Sequence, residues 1–246
     1  MTPTVMVLSA LALFAGGAVK GLVGIGIPLV SLSLLSLFLP LADAVILLPV
    51  PIIVANVWQS IVTPHFVSAI CRFWPLVLAM LIGTVAGAHV LTALDAASLN
   101  LLVGTLVVLF TLSSIMNPEL RLPVRFERGV GVAAGAVGGF MGGISALFGP
   151  PIILYLTSLR LDRESFVGVI SSIYLCSAVG LVIVFGSVGV MSQAQFVESA
   201  VASVPLMLGV WAGQRFRGGI REAVFRKLLL VVVLGVGVRL ILLGVI

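Results

Sequence analysis

The sequence predicts an all-α polytopic membrane protein with two inverted repeats, each a broken or re-entrant helical hairpin plus three transmembrane helices. Of its 246 residues, 61% are hydrophobic and 9% are charged, whereas a soluble domain carries about 25% charged residues. Long apolar runs with few charges are typical of membrane spans. The charged residues lie mainly in short loops between the runs, where they set orientation. The runs cover about residues 5–39, 44–63, 73–92, 98–116, 129–159, 166–189, 196–214 and 228–246.

The two halves of the chain resemble each other. GAVKG at residues 17–21 matches GAVGG at 135–139, and IGTVAG at 82–87 matches LGVWAG at 208–213. Each half also opens with its longest run, which is rich in glycine and then reaches proline. Similar features in the same order indicate a duplicated unit. The predicted division is a first membrane repeat at 1–116, a cytoplasmic linker at 117–128 and a second membrane repeat at 129–246.

The opening run of each half has an unusual length. As a single helix, residues 5–39 would measure about 52 Å and residues 129–159 about 46 Å, against a hydrocarbon core of about 30 Å. Two complete crossings need about 40 residues, which neither run has. We therefore expect a broken or re-entrant turn at the glycines of each run, within 16–28 and 135–151. Non-helical backbone at that depth requires a surrounding of protein or a water-filled cavity.

Loop charge favours this arrangement over single crossings. If each long run returns to its side of entry, one face of the membrane collects eleven of the thirteen basic residues. If each run crosses once, the same residues split four to seven between the faces. The positive-inside rule selects the first arrangement and places both termini in the periplasm. The four basic loops are then 63–72, 117–128, 160–164 and 215–227, and the opposite face holds Asp43, Asp95 and Glu198.

Two basic residues, Lys20 and Arg239, remain within apolar runs. A cation inside the bilayer costs about 2.5–3.5 kcal/mol on insertion scales, so it usually faces a cavity or a partner and has a function. The eight acidic residues all lie near run ends or in loops, which makes both cations candidates to bind an anion. The alternatives are snorkelling or a structural bond to hairpin carbonyls for Lys20, and a position at the outer interface for Arg239.

The predicted turns supply a second means of binding an anion. Proline suits the first turn of a helix, and a helix that starts there aims free N–H groups and its positive dipole end at the ligand. Glycine allows close approach of the backbone, although these glycines could equally serve only helix packing. Asn56 could bind substrate or only tie helices together, and Tyr155 and Tyr174 are candidates to line a cavity. The predicted substrate-binding residues are Lys20, Gly21, Gly24, Gly26, Pro28, Asn56, Gly142, Gly143, Ser145, Pro150 and Arg239.

Several classes of function lack support in the sequence. Cys71 and Cys176 provide neither a disulfide framework nor a metal spacing, and no cofactor is expected. There is no HExxH, GxSxG or GxxxxGK[ST] motif, so we expect no enzyme activity. The net charge of +5 is not gathered into a nucleic-acid patch. We expect the partners to be the lipid bilayer and a small anionic substrate, and the sequence leaves the oligomeric state open.

GGAVKGLVGIGIPLVSLSLL, its echo GAVGGFMGGISALFGPPIILYL, and the pair IGTVAG and LGVWAG resemble the sulfite exporter TauE/SafE family of bacterial membrane transporters. The resemblance covers nearly the whole chain. It implies a multi-pass protein of the bacterial inner membrane that moves a small anion: sulfite, thiosulfate, a sulfonate or a related organic acid. Family members commonly have a glycine pair or triplet after the first break, where this chain has Gly24-Ile25-Gly26. An anion channel and a non-transporting membrane scaffold or assembly protein are the alternatives.

Overall fold

The computed structural model of the protein describes residues 3–24, 26–62, 66–116, 122–215 and 222–245. These residues form α-helices and one short 3₁₀ turn at Val124–Phe126, without a strand, which confirms the all-α prediction. Arg121, Arg217, Arg221 and the start of the predicted linker lie outside the described residues. The helices are α1 (Pro3–Val23), α2 (Ile27–Leu35), α3 (Leu41–Ile46), α4 (Pro49–Val62), α5 (Phe66–Ala93), α6 (Ala96–Met116), α7 (Glu127–Ser145), α8 (Gly149–Ser158), α9 (Arg163–Ser187), α10 (Gln193–Arg215) and α11 (Glu222–Val245).

Several helices are long and apolar enough to cross a membrane, which confirms the predicted membrane class. Within the described residues five segments meet this criterion, and Ala96–Leu109 and Val233–Val245 are shorter apolar helices. The five candidate spans are Pro3–Leu22, Leu41–Ser60, Phe66–Ala93, Glu164–Ser187 and Gln193–Arg215.

The chain forms two compact units, and each unit draws on both halves of the sequence. The border between the units falls inside α4. The units therefore differ from the predicted repeats 1–116 and 129–246, whose existence stays a prediction. Unit 1 comprises Met1–Pro51, Leu94–Asn117 and Gln193–Ile246, and unit 2 comprises Ile52–Ala93 and Pro118–Ser192.

In unit 1, α1 packs along α10, and α2 packs against α1. Glycines on both long helices form this contact. A Cβ atom on Gly21 would lie 2.8 Å from the backbone nitrogen of Gln214, and one on Gly17 would lie 3.0 Å from that of Val210. Real Cβ atoms do not approach a backbone so closely, so any side chain at these positions would force the helices apart. This is the small-residue packing typical of membrane helices.

In unit 2, α5 packs along α7 and against α9. A Cβ atom on Gly143 would lie 2.8 Å from the backbone nitrogen of Ala88, and one on Gly83 would lie 2.8 Å from that of Phe140. The glycines of IGTVAG thus contact α7, just as those of LGVWAG contact α1. The glycines of these two motifs therefore serve helix packing.

The two glycine contacts match residue by residue, and the match corrects the sequence comparison. Gly21 meets Val210, Gly213 and Gln214, whereas Gly143 meets Thr84, Gly87 and Ala88. The alignment of IGTVAG with LGVWAG places these two sets of contacted residues at equivalent positions. Gly143 is therefore the counterpart of Gly21. The predicted match of GAVKG with GAVGG at 135–139 is therefore wrong by one helical turn. Gly142, rather than Gly138, occupies the position of Lys20, and Pro150 occupies that of Pro28.

The start of α9 is fixed by a side-chain cap. The Asp162 carboxylate accepts hydrogen bonds from the backbone N–H groups of Glu164 and Ser165 at 3.1 and 3.0 Å. Hydrogen bonding by the Ser165 side chain, followed by that of the backbone N–H groups, lowers the pKa of this carboxyl. Aspartate at this position satisfies donors that the first helical turn leaves free.

Candidate functional site

The first break in unit 1 separates α1, which ends at Val23, from α2, which begins at Ile27. Gly24 has φ 94° and Gly26 has φ 113°, a conformation that glycine adopts without the steric cost of a Cβ atom. The Gly24 N–H donates to the carbonyl of Lys20 at 2.7 Å and closes the last turn of α1. Pro28 lies in the first turn of α2. The break predicted within residues 16–28 is therefore confirmed.

Lys20 lies in the last turn of α1, directly before this break. Its side chain is only 6% exposed. A buried ammonium group carries a large desolvation cost. A cation in the last turn also interacts favourably with the negative end of the helix dipole. The structure thus places a buried lysine side chain where the backbone turns from α1 into α2.

Arg239, the second predicted cation, lies at the far end of α2. Its guanidinium donates to the Ser36 carbonyl at 2.9 Å and to the Leu37 carbonyl at 3.4 Å. Because α2 has nine residues, it is about 14 Å long. Lys20 therefore precedes the N-terminal end of α2, whereas Arg239 binds carbonyls at its C-terminal end. These contacts give Arg239 a structural role at a helix C-terminus, where a cation is favoured.

The second break, in unit 2, separates α7, which ends at Ser145, from α8, which begins at Gly149. Ala146 has φ 58°, and its N–H donates to the Gly142 carbonyl at 2.7 Å. Gly24 and Lys20 form the same bond in unit 1. The left-handed conformation costs a non-glycine residue about 1–2 kcal/mol. The break predicted within residues 135–151 is confirmed, and an alanine rather than one of the predicted glycines forms its turn.

The two breaks differ in the residues that fill the space beside the turn. A Cβ atom on Gly142 would collide with the aromatic ring of Phe148. Gly142 corresponds to Lys20, and Phe148 corresponds to Gly26. Unit 1 thus combines a lysine with a glycine, whereas unit 2 combines a glycine with a phenylalanine. At these two positions, unit 2 places an aromatic ring where unit 1 has a charged side chain.

The other predicted site residues divide between the two units. In unit 2, the buried Ser145 hydroxyl donates to the Met141 carbonyl at 2.7 Å. The Asn56 amide on α4 is buried and donates to the Ile52 carbonyl at 2.8 Å. Pro150 lies in the first turn of α8. Close packing against α10 and α5 accounts for glycine at Gly21 and Gly143 without a ligand. Unit 1 holds Lys20, Gly21, Gly24, Gly26, Pro28 and Arg239, and unit 2 holds Asn56, Gly142, Gly143, Ser145 and Pro150.

Two hydroxyls on α9 stand out near the second break. Tyr174 is 5% exposed, and its Oη lies 3.0 Å from the position that a Cβ atom on Gly149 would occupy. Ser171 is fully buried one turn earlier. Neither hydroxyl has a hydrogen-bond partner among the described residues. Tyr174 was a predicted cavity candidate, and Ser171 was not predicted. Ser171 could have been found from the sequence, because it precedes Tyr174 by three residues in an apolar helix and so lies on the same helix face.

Tyr155, the other aromatic candidate, has contacts typical of packing. Its ring meets that of Phe73 edge-on at 6.2 Å, and its hydroxyl lies against Gly131. Among the described residues, no group of three or more His, Cys, Asp or Glu side chains is placed to hold a metal ion.

Comparison with known proteins identifies the family. No curated protein and no solved structure matches the chain significantly. The profile of the sulfite exporter TauE/SafE family matches residues 8–240, which is nearly the whole chain and confirms the resemblance carried by the glycine-rich runs. The chain therefore belongs to the sulfite exporter TauE/SafE family of membrane transporters.

Proposed function

We propose that the protein is a secondary transporter that moves a small anion across the bacterial inner membrane and that Lys20 binds this anion. The substrate class is sulfite, thiosulfate, a sulfonate or a related organic acid. The observation that carries the proposal is the buried Lys20 side chain in the last turn before the Gly24–Gly26 break. Intramembrane cations and broken helices both mark substrate sites in transporters.

The chemistry of the first break suits an anion. The Lys20 ammonium supplies a charge, and the start of α2 supplies the positive end of a helix dipole. The Gly24 N–H donates to the Lys20 carbonyl and closes the last turn of α1. The helix α2 begins at Ile27, three residues after Gly24. An anion beside Lys20 would offset the desolvation of the ammonium group. We infer that the function is binding and transport rather than catalysis.

Transport requires that the anion at Lys20 face each side of the membrane in turn. We infer that the two predicted inverted repeats supply this alternation. The matching contacts of α1 with α10 and of α7 with α5 support a duplicated origin. The orientation inferred from loop charge, with both termini in the periplasm, belongs to the same proposal.

The test is anion uptake into proteoliposomes by wild type and by Lys20→Met, Lys20→Arg and Arg215→Met. Arg215 is an exposed cation on α10 of the same unit, so Arg215→Met is the matched loss of one charge. A hydrogen bond to a charged group is worth about 1.5–3 kcal/mol, so we expect Lys20→Met to lose at least about tenfold in uptake at low substrate concentration. Arg215→Met should transport like wild type, and Lys20→Arg should recover part of the activity.

The assay separates the alternatives. A carrier shows saturation and counterflow, whereas voltage-driven flux with neither property would identify an anion channel. Full activity in Lys20→Met would remove Lys20 from the binding site. If wild type moves none of sulfite, thiosulfate, methanesulfonate and acetate, the proposed function fails.

A further inference from the structure

We propose that the start of α8 forms a second, uncharged subsite, in which Tyr174 Oη and the Gly149 N–H donate to one oxygen of the transported oxyanion. This inference rests on the proposed function and names the chemical class of its substrate. The subsite lies entirely within unit 2. It consists of the turn at residues 146–149, the first residue of α8 and one face of α9.

The turn provides backbone N–H donors that have no acceptor among the described residues. Among the hydrogen bonds of the described residues, none uses the N–H of Leu147, Phe148 or Gly149. Leu147 and Phe148 are buried, and buried backbone N–H groups are almost always paired with protein, water or a ligand. Pro150 and Pro151 follow and have no N–H. Gly149 is thus the only donor among the first three residues of α8.

Tyr174 directs its hydroxyl at this same residue. A Cβ atom on Gly149 would lie 3.0 Å from Tyr174 Oη, so glycine keeps the space beside the hydroxyl open. The Tyr174 ring packs beside the Phe148 ring, with the two ring centroids 6.3 Å apart. A buried tyrosine hydroxyl usually has a hydrogen-bond partner, and this one has none among the described residues. The Tyr174 hydroxyl thus lies beside Gly149, the first residue of α8, whose N–H is the second donor of the proposed subsite.

Other hydroxyls of α9 show that this arrangement is unusual within the helix. Ser172 and Ser177 are buried and donate to the carbonyls of Gly168 and Ile173, four residues earlier. Ser171 is equally buried but forms no such bond. It precedes Tyr174 by three residues, so both lie on one helix face. Within the part of α9 that the structure describes, the buried hydroxyls without a hydrogen-bond partner are those of Ser171 and Tyr174.

The chemistry of this subsite differs from that at Lys20. A lysine binds any small anion through its charge, whereas neutral donors require an acceptor atom at a defined position. A site built to hydrogen-bond an oxygen rejects analogues that lack this oxygen. We therefore expect the subsite to favour an oxyanion, such as sulfite or a sulfonate, whose oxygen has directional lone pairs, over a halide, which accepts hydrogen bonds from any direction.

The test compares Tyr174→Phe with Tyr155→Phe, which removes the hydroxyl of another buried tyrosine in the same unit. Equilibrium binding of sulfite and methanesulfonate is measured on purified protein in detergent, with chloride as competitor. We expect Tyr174→Phe to weaken binding of both oxyanions by about tenfold or more, and Tyr155→Phe to bind like wild type. Without ligand, Tyr174→Phe should melt no lower than wild type, because the lost hydroxyl has no partner there. Chloride should compete only weakly.

A second variant keeps the test conclusive if Tyr174→Phe does not fold. Gly149→Ala adds one methyl group beside Tyr174 Oη and leaves the hydroxyl in place, and it should also weaken oxyanion binding. Wild-type affinity in both variants would overturn the subsite, and so would chloride competition as strong as that of sulfite. If Tyr174→Phe loses binding but wild-type proteoliposomes show no transport, the subsite stands and the proposed function fails. If wild type binds neither oxyanion, both fail.

Discussion

Arg239 shows how a partly buried cation in a membrane helix acquires a structural role. Its guanidinium donates to the carbonyls of Ser36 and Leu37, which follow the last residue of α2. The last carbonyls of a helix have no intrahelical donors, and lipid provides none. Arg239 therefore supplies donors to carbonyls at the C-terminal end of α2.

We expect Arg239→Gln to lower the stability of the protein more than it lowers the affinity for substrate. Loss of a charged hydrogen bond should lower the free energy of unfolding by about 1.5–3 kcal/mol. Scanning fluorimetry in detergent measures this as a lower melting temperature, with exposed Arg215→Gln as the control. A variant with wild-type melting temperature and lost anion binding would show that Arg239 acts at the substrate and not at α2.

Single residues also show where prediction from sequence reached its limit. The sequence placed Lys20 beside a break correctly, because Gly24, Gly26 and Pro28 are strong local signals. It assigned Gly138 as the counterpart of Lys20, whereas the contacts identify Gly142. Glycine recurs every fourth residue in α7, so sequence alignments of α1 with α7 that differ by one helical turn match equally well. Only the contacts with α5 and α10 distinguish them.

At the scale of elements, the two long helix pairs depend on glycine at their contact. Gly139 packs against the Met80 carbonyl on α5, as Gly17 packs against the Leu206 carbonyl on α10. Without a hydrophobic force between helices in lipid, such close packing stabilises their association. The breaks could be predicted because their signals are local. The pairing of α1 with α10 could not, because it joins helices almost two hundred residues apart.

We expect Gly139→Ala to destabilise unit 2, because its new methyl group would meet the backbone of Met80. Overpacking of this kind costs about 1–3 kcal/mol. Gly235→Ala is the matched control, since a Cβ atom there meets nothing within 4 Å. The control should be neutral or gain up to about 1 kcal/mol from helix propensity. Equal melting temperatures for the two variants in detergent would contradict this account of α5 and α7.

For the whole molecule, the charge argument leads to a prediction about orientation. Cys71 is exposed near the start of α5, and it adjoins a basic loop predicted to be cytoplasmic. Ser192, also exposed, lies in the connection between α9 and α10 on the predicted periplasmic side. Cys176, in α9, is partly buried.

In a Cys176→Ala background, a membrane-impermeant maleimide should label Cys71 in inside-out vesicles but not in spheroplasts. Ser192→Cys, examined with Cys71→Ala, should give the opposite pattern. The physical basis is the asymmetry of basic residues between the two predicted faces. Labelling of Cys71 in spheroplasts would reverse the orientation and reject the periplasmic termini.

The interleaving of both halves in each unit has a consequence for biosynthesis. Gly143 follows its partner Thr84 by about 60 residues, which is about 3–12 s of synthesis at the usual rate, whereas Val210 follows Gly21 by about 190 residues, or about 10–40 s. The helix pair of unit 2 is thus available for assembly first. The glycine face of α1 must wait for α10 in the membrane, so the packing beside Lys20 is completed later than the helix pair of unit 2.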